Sequence, residues 1–265
     1  MCANTRHTGT PFAKIFSNLA LHMLLTNEKA DIITRLRQEV LQLQGFKAPL
    51  THLLDDTGLG RINAAFPNGV FPRAALHEFV CAAPEEAAAA TAFVAGLLSA
   101  FMRRGGAALW VGTGRRIFPP ALRAFGLRPE QVIFLDLKKE KDVTWALTEA
   151  LRCSALSAVV GELSELSFTD SRRFQLAIEA SGVPCFALRR RLPATATTAV
   201  ARWRVRPLAS RTEEGLPGLG APRWEVQLLK VRNGTPGTWE LEWAGGRFRH
   251  TPKLAAVPAA QTKTG

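Results

Sequence analysis

The stretch LHEFVCAAPEEAAAATAF, residues 76–93, has the order of a phosphate-binding site: a buried strand, a turn and then an alanine-rich helix. A working loop at such a corner has the pattern G-x-x-x-x-G-K-[ST], in which backbone N–H groups surround the phosphates and the lysine neutralises their charge. Here the corner lacks glycine and lysine, and its residues include Cys81, Pro84, Glu85, Glu86 and Ala87. Proline has no N–H donor and the glutamates repel phosphate, so we expect this degenerate loop not to hold a nucleotide.

A second candidate site is a run of arginines in the last third of the chain. Its six members are Arg189, Arg190, Arg191, Arg202, Arg204 and Arg206. The first three end a predicted strand, the last three alternate along one face of the next, and no acid lies between Phe186 and Arg211. This spacing suits the phosphates of single-stranded DNA or an acidic segment of a partner protein. The remaining alternative is a solvated sheet edge whose charges deter strand pairing.

The charge of the chain is concentrated in the same region. Residues 1–185 contain 20 Lys and Arg against 17 Asp and Glu, whereas residues 186–265 contain 14 against 5. Nine of the twelve net positive charges therefore lie in the last 80 residues. Such a distribution favours a polyanion or an acidic partner. The alternative is that surplus arginine only keeps the surface solvated.

The cysteines and histidines do not suggest a metal site. Cys2, Cys81, Cys153 and Cys185 are scattered without a CxxC pair, and the five histidines are equally dispersed. We find no Ser-His-Asp set and no paired acids, and we expect no catalytic residue, no metal and no cofactor. The thiols are expected to be reduced, and His77 to pack in the core. No apolar run reaches the roughly 20 residues that a membrane span needs, so we expect no membrane partner.

The elements that position these residues alternate between strand and helix. Apolar strands are predicted at residues 107–112, 131–137, 156–163 and 183–189, each preceded by a helix. This order predicts a mostly parallel sheet covered on both faces, an α/β fold. In the helix at residues 170–181, we expect Phe174, Leu176, Ala177 and Ile178 to face inward. The last stretches, TTAVARWRVRP, PRWEVQLLKVRN and GTWELEWAGGRFRH, alternate with period two and predict antiparallel strands that continue the sheet edge. NGTPG predicts a hairpin between the second and third.

The start of the chain has a different pattern. Residues 27–47 predict an amphipathic helix whose apolar stripe consists of Ile32, Ile33, Leu36, Val40 and Leu43. Such a stripe packs on its own domain or binds a partner. We expect residues 1–26 to be a disordered tail, with Met23 as an alternative start. Residues 48–252 are expected to form the main domain, and residues 253–265 a second disordered tail.

Residues 50–245 resemble the ATPase core of RecA recombinases. The stretch TGLGRINAAFPNGVFPRAALHEFV is similar to the RecA entry into the first core strand, and AVVGEL stands where RecA has its Walker B strand. The resemblance implies a RecA-like core behind an N-terminal helix. It also implies that Thr113 or Gly114 replaces the glutamate that activates water, and that Gly161 replaces the aspartate of the magnesium site. Glu162, one step along, is expected to face the other side. We therefore expect no ATPase activity.

The predicted N-terminal helix, the core without Walker residues and the ending RWRVRPL…GLPGLGAPRWEVQLLKVRNGTPGTWELEW together resemble the ImuA family. These are RecA-like, SulA-like proteins of bacterial mutagenesis cassettes. The resemblance implies a cytoplasmic, nucleoid-associated, non-catalytic role in the SOS response, in error-prone translesion synthesis after DNA damage. Its implied partners are ImuB, an inactive Y-family polymerase homologue, and an error-prone C-family DNA polymerase, while single-stranded DNA stays an open partner for the arginine row. Two alternatives stay open: a SulA-like inhibitor that binds the cell-division GTPase, and an atypical RecA-like ATPase.

Overall fold

Nine strands form one mixed sheet in the computed structural model, which describes residues 57–103, 105–191, 196–210 and 220–251. The strands are β1 Leu76–Val80, β2 Ala107–Gly112, β3 Val132–Asp136, β4 Leu156–Leu163, β5 Cys185–Arg189, β6 Ala201–Leu208, β7 Arg223–Val231, β8 Gly237–Ala244 and β9 Arg247–His250. Their order in the sheet is β3-β2-β4-β5-β1-β6-β7-β8-β9. The strands from β3 to β6 in that order pair parallel, and β6 to β9 pair antiparallel. The predicted α/β class with its mostly parallel sheet is confirmed.

One strand differs from the expectation. We expected β6 to belong to the antiparallel strands at the sheet edge, but β6 is antiparallel to β7 only and pairs parallel with β1 on its other side. Its inward residues Ala201, Trp203 and Val205 are fully buried. A strand buried in this way needs a neighbour on each side for its backbone hydrogen bonds. The antiparallel extension therefore begins at β7.

Three helices cover the sheet among the described residues: α1 Pro84–Phe101, α2 Glu140–Ala150 and α3 Phe168–Ser181. Short 3-10 helices lie at Gly60–Ala65, Pro67–Gly69, Pro119–Phe125 and Pro129–Gln131. The hydroxyl of Ser167 caps α3 by accepting from the Asp170 N–H at 3.0 Å. Leu176 was expected to face inward and is 50% exposed, because the helical repeat gives the buried face to Phe174, Ala177 and Ile178.

The sheet separates two hydrophobic layers. On one face α1 packs over Phe79, Trp110 and Trp203, and on the other α2 and α3 pack over Val111 and Val159. The C-terminal strands contribute to the α1 layer, where Phe248 approaches Phe93 with ring centroids 4.9 Å apart. Gly96 of α1 makes this approach possible, since a Cβ there would lie 2.7 Å from the Phe248 ring.

His77 lies in the core of this layer, as predicted, and is fully buried. Its ring stacks on Phe71 with centroids 4.4 Å apart, and its Nε2–H donates to the Pro72 carbonyl at 2.7 Å. The other ring nitrogen, Nδ1, accepts from Trp203 Nε1–H at 3.4 Å. Burial lowers the pKa of His77 to about 4, against the raising effect of the hydrogen bond to Pro72. The imidazole is therefore neutral at physiological pH.

Several predicted segments lie outside the described residues. These are the tails at residues 1–26 and 253–265 and the helix at residues 27–47 with its stripe of Ile32, Ile33, Leu36, Val40 and Leu43. Within the described part of the chain, no helix has the length and apolar character needed to cross a membrane.

Candidate functional site

A backbone N–H of the loop after β1 binds a carboxylate of the chain itself. Helix α1 begins at Pro84, and Ala83 before it makes no side-chain capping hydrogen bond. The backbone N–H of Ala82 donates instead to Oε2 of Glu86 over 2.8 Å. Glu86 is buried, with 7% of its surface exposed. The loop therefore gives one of its own acidic groups a backbone donor of the type that a phosphate-binding loop offers to phosphate.

Arginines of β6 complete the surroundings of Glu86. Arg204 donates to Glu86 Oε1 through Nε at 3.0 Å and through Nη2 at 2.7 Å. The Nε of Arg206 lies 3.5 Å from the same oxygen. Burial by itself would raise the pKa of the Glu86 carboxyl, but the hydrogen bonds from Arg204 and Ala82 and the charges of both arginines together lower it. Glu86 is therefore ionised at neutral pH, and the two arginines balance its charge.

A second acid, Glu78, collects three donors inside the protein. It is the middle residue of β1 and is fully buried. Its Oε1 accepts from Arg189 Nη1, and its Oε2 accepts from Arg202 Nε at 2.7 Å and from the Thr197 hydroxyl at 3.1 Å. Arg189 is itself only 2% exposed. An unpaired buried charge would carry a large desolvation cost. Here each of the two charges has a partner, so the pair can lie inside the protein.

The three arginines of β6 lie on one face of the strand, as the alternation predicts, but they are paired within the chain. Their ion-pair partners are carboxylates from three other elements: Glu78 of β1, Glu86 of α1 and Glu225 of β7. The sequence shows no acid near the row, because these acids reach it through strand pairing and helix packing rather than along the chain. The net positive charge of this face is therefore smaller than the three arginines of the strand suggest.

The three arginines at the end of β5 have separate environments. Arg189 is buried against Glu78, so it does not face solvent. Arg190 is half-buried, and its Nη2 lies 3.4 Å from the hydroxyl of Thr113, which follows β2. Arg191 is exposed and pairs with Glu165 at 3.1 Å. The six arginines of the predicted row thus do not form one continuous surface.

Glu162 lies on the same side of the sheet as the loop after β1. Alternation turns Gly161 toward α2, where a Cβ would lie 2.5 Å from Leu147 Cδ1. It turns Glu162 toward α1, where the side chain lines the same groove as Cys81 and Pro84 of the loop. We expected Glu162 to face away from the magnesium position, whereas it is the acid of β4 that faces the loop. The sequence contains no signal for this side, because Val159 and Val160 lie on opposite faces of β4 and are both apolar.

Burial is the main influence on the pKa of the Glu162 carboxyl. Its Oε1 accepts from Trp110 Nε1–H at 3.0 Å, and the residue is 8% exposed. Burial raises the pKa of the carboxyl, although the hydrogen bond from Trp110 and the positive charges of Arg190 and Arg116 oppose the shift. Glu162 therefore holds its proton more strongly than a surface glutamate.

Cys81 is not poised for chemistry. Burial, together with the charges of Glu86 and Glu162, raises the pKa of its thiol to about 12. A thiol with this pKa is protonated at neutral pH and is a poor nucleophile. Among the residues that the structure describes, no three His, Cys, Asp or Glu side chains are grouped so that they could hold a metal ion.

Two curated relatives agree with the sequence resemblance. No family model matches the chain. The chain is 32% identical over 194 residues to Protein ImuA in each of two strains of Caulobacter vibrioides, and the alignments cover 68% of this chain and 80% of the relative. The crystal structure of the RadB recombinase is similar with a TM-score of 0.48 and 13% identity, covering 69% of this chain and 93% of that one. On the identity and coverage of the two curated relatives, this chain belongs to the ImuA family.

Proposed function

We propose that the chain is a non-catalytic accessory protein with a RecA-like core, acting as a scaffold in an error-prone translesion synthesis complex. Membership of the ImuA family supports this role, because the family resemblance implies work with an ImuB-type partner and an error-prone C-family polymerase. The observation that carries the non-catalytic part is the Glu86 carboxylate, bound by the Ala82 N–H and by Arg204.

A nucleotide would have to compete with this carboxylate. A triphosphate at the loop would have to displace the Glu86 carboxylate from the Ala82 N–H and from Arg204, and it would also meet the exposed negative charge of Glu85. The Ala82 N–H is already used, and Pro84 has no N–H to offer. Nor does the loop contain a lysine that could neutralise phosphate charge.

Calorimetry with Mg²⁺-ATP tests the non-catalytic part. We expect no binding heat and no hydrolysis by the full chain. Glu86→Gln removes the resident charge while it keeps the shape of the side chain, and we expect it still to lack tight binding because no lysine is restored. Micromolar, magnesium-dependent binding by the unaltered protein would support an atypical ATPase instead.

Co-purification tests the partner. The full chain should form a complex with an ImuB-type homologue when both are expressed together. Replacing Ile33 and Leu36 of the predicted helix by Asp should weaken this complex while the melting temperature stays unchanged. Gln38→Asp, on the polar side of the same predicted helix, is the matched control. A complex with the cell-division GTPase, and none with the ImuB-type protein, would favour the SulA-like alternative.

Contact with single-stranded DNA is the remaining part of the proposal. Arg191 is exposed and Arg190 is half-buried, so these two members of the arginine row could contact phosphate at the carboxyl end of β5. Replacing both by Gln should lower the magnitude of the log K against log salt slope by about 0.7 for each lost phosphate contact. The matched control is Arg172→Gln, on the exposed face of α3. Unchanged affinity and slope would remove DNA contact from the proposal and leave the partner role untouched.

A further inference from the structure

A groove beside the loop has the size of a ligand or peptide pocket. It has a volume of about 360 Å³ and lies between the first turns of α1, the segment after β2 and the carboxyl ends of β4 and β5. Alanines of α1, including Ala88 and Ala92, form one wall, and their small size leaves the space open. Phe118, Leu122 and Phe125 form the opposite wall. A mostly apolar cavity with a few polar groups is the usual character of a binding site.

The polar groups lie together among the residues that line the groove. Arg190 contributes a guanidinium whose Nε is buried and has no hydrogen-bond partner among the described residues. Arg116 is exposed, lines the groove and forms no ion pair within the described part of the chain. Glu162 lies with them and uses one oxygen to accept from Trp110. Among the described residues neither guanidinium forms an ion pair, and their two positive charges, which act on Glu162, exceed its one acidic group, so this part of the groove suits a further anionic group.

The rim indicates a protein rather than a small metabolite. Phe118 is 70% exposed at the edge of the groove, the largest exposed fraction among the large apolar side chains of the described residues. An exposed aromatic residue beside a concave apolar surface is typical of protein interfaces. The net charge of +12 adds a general attraction for an acidic segment.

We propose that this groove is the docking site for an acidic partner segment, which inserts one large apolar side chain beside Phe118 and places an adjacent carboxylate against Arg116 and Arg190. The inference deepens the proposed function and rests on it, since it takes the occupant to be a protein segment and not a nucleotide. The apolar wall supplies the affinity, and the two arginines select an acidic neighbour over a basic one.

Fluorescence anisotropy with three labelled peptides tests the proposal. The first is a capped, flexible Gly-Ser peptide with a central Glu-Trp-Glu sequence, the second replaces both Glu by Lys, and the third replaces Trp by Ser. The full chain should bind the first peptide saturably and each of the others at least about tenfold more weakly. Equal binding of the acidic and basic peptides, or no saturable binding of the acidic one, would overturn the docking site.

Two variants place the binding in the groove. Ala88→Trp fills the opening of the groove from an exposed position, so the fold should persist while peptide binding is lost. The control is Ala180→Trp, on the exposed face of α3. Replacing Arg116 and Arg190 by Gln should remove the preference for acid over lysine, whereas Arg172→Gln should keep it. Peptide binding that survives Ala88→Trp contradicts the proposal.

Competition with Mg²⁺-ATP separates this inference from the function on which it rests. If ATP displaces the acidic peptide, the groove is a nucleotide site and the non-catalytic scaffold is wrong as well. If neither ATP nor the acidic peptide binds, the non-catalytic role stands and only the docking site fails.

Discussion

Replacing Arg189 by Met should destabilise the fold. Arg189 belongs to the arginine row that the sequence predicts to lie on the surface, but the structure buries it. Arg189 is 2% exposed and its partner Glu78 is fully buried. Removing one member of a buried ion pair costs about 3–5 kcal/mol, because the other charge is left uncompensated. Glu78 would keep Arg202 at 2.7 Å and Thr197 at 3.1 Å, so we expect the lower end, about 3 kcal/mol. In a domain of this size, that loss lowers the melting temperature by roughly 6–12 °C.

Urea denaturation followed by circular dichroism measures the effect. The matched control is Arg191→Met, two residues along the chain, whose ion pair with Glu165 is 71% and 68% exposed. An exposed pair contributes at most about 1 kcal/mol, so this variant should unfold close to the unaltered protein. The reasoning is refuted if both variants lose the same free energy of unfolding. It is refuted equally if the double variant of Arg189 and Glu78 shows no coupling between the two positions.

Three further predictions concern the stability of the folded protein. Between pH 6.5 and about 4 the unfolded chain binds one more proton at His77 than the folded protein does. The free energy of unfolding should therefore decrease as the pH is lowered through this window, by up to about 3 kcal/mol. A His77→Gln variant should show a shallower decrease in acid denaturation. Gly161→Val should cost about 1–3 kcal/mol in chemical denaturation because its side chain would meet Leu147, and combining it with Leu147→Ala should recover part of the loss. Ser167→Ala should cost about 1 kcal/mol by removing the cap of α3, and Ser167→Asp, which keeps an acceptor for the Asp170 N–H, should cost less.

Regular elements of the fold could be predicted because their signals are local. The predicted strands at residues 107–112 and 156–163 coincide with β2 and β4, since each is a mostly apolar run that follows a helix. The alanine-rich helix predicted after the loop is α1, Pro84–Phe101. These patterns depend on neighbours within a few positions, and the sequence shows such neighbours directly.

The chemistry at the carboxyl end of the sheet could not be predicted in the same way. The sequence identifies the loop and the arginines, but it does not show that Glu78 pairs with a residue 111 positions away or that Glu86 pairs with one 118 positions away. Neither a glutamate within an apolar strand nor one in the first turn of a helix shows by its local sequence that it pairs with a distant arginine. Only the pairing of β1 with β5 and β6 brings these charges together.

The central place of β1 has a consequence for how the protein is made. All five residues of this strand are buried, yet its two neighbours in the sheet, β5 and β6, follow it by more than a hundred residues. During synthesis the segment LHEFV leaves the ribosome long before either neighbour exists. An unpaired apolar strand is a site for aggregation, and contacts so distant in the chain form slowly. The β6 side of β1 therefore stays unpaired until β6 has emerged, and a truncation before residue 201 leaves that side of the strand permanently open.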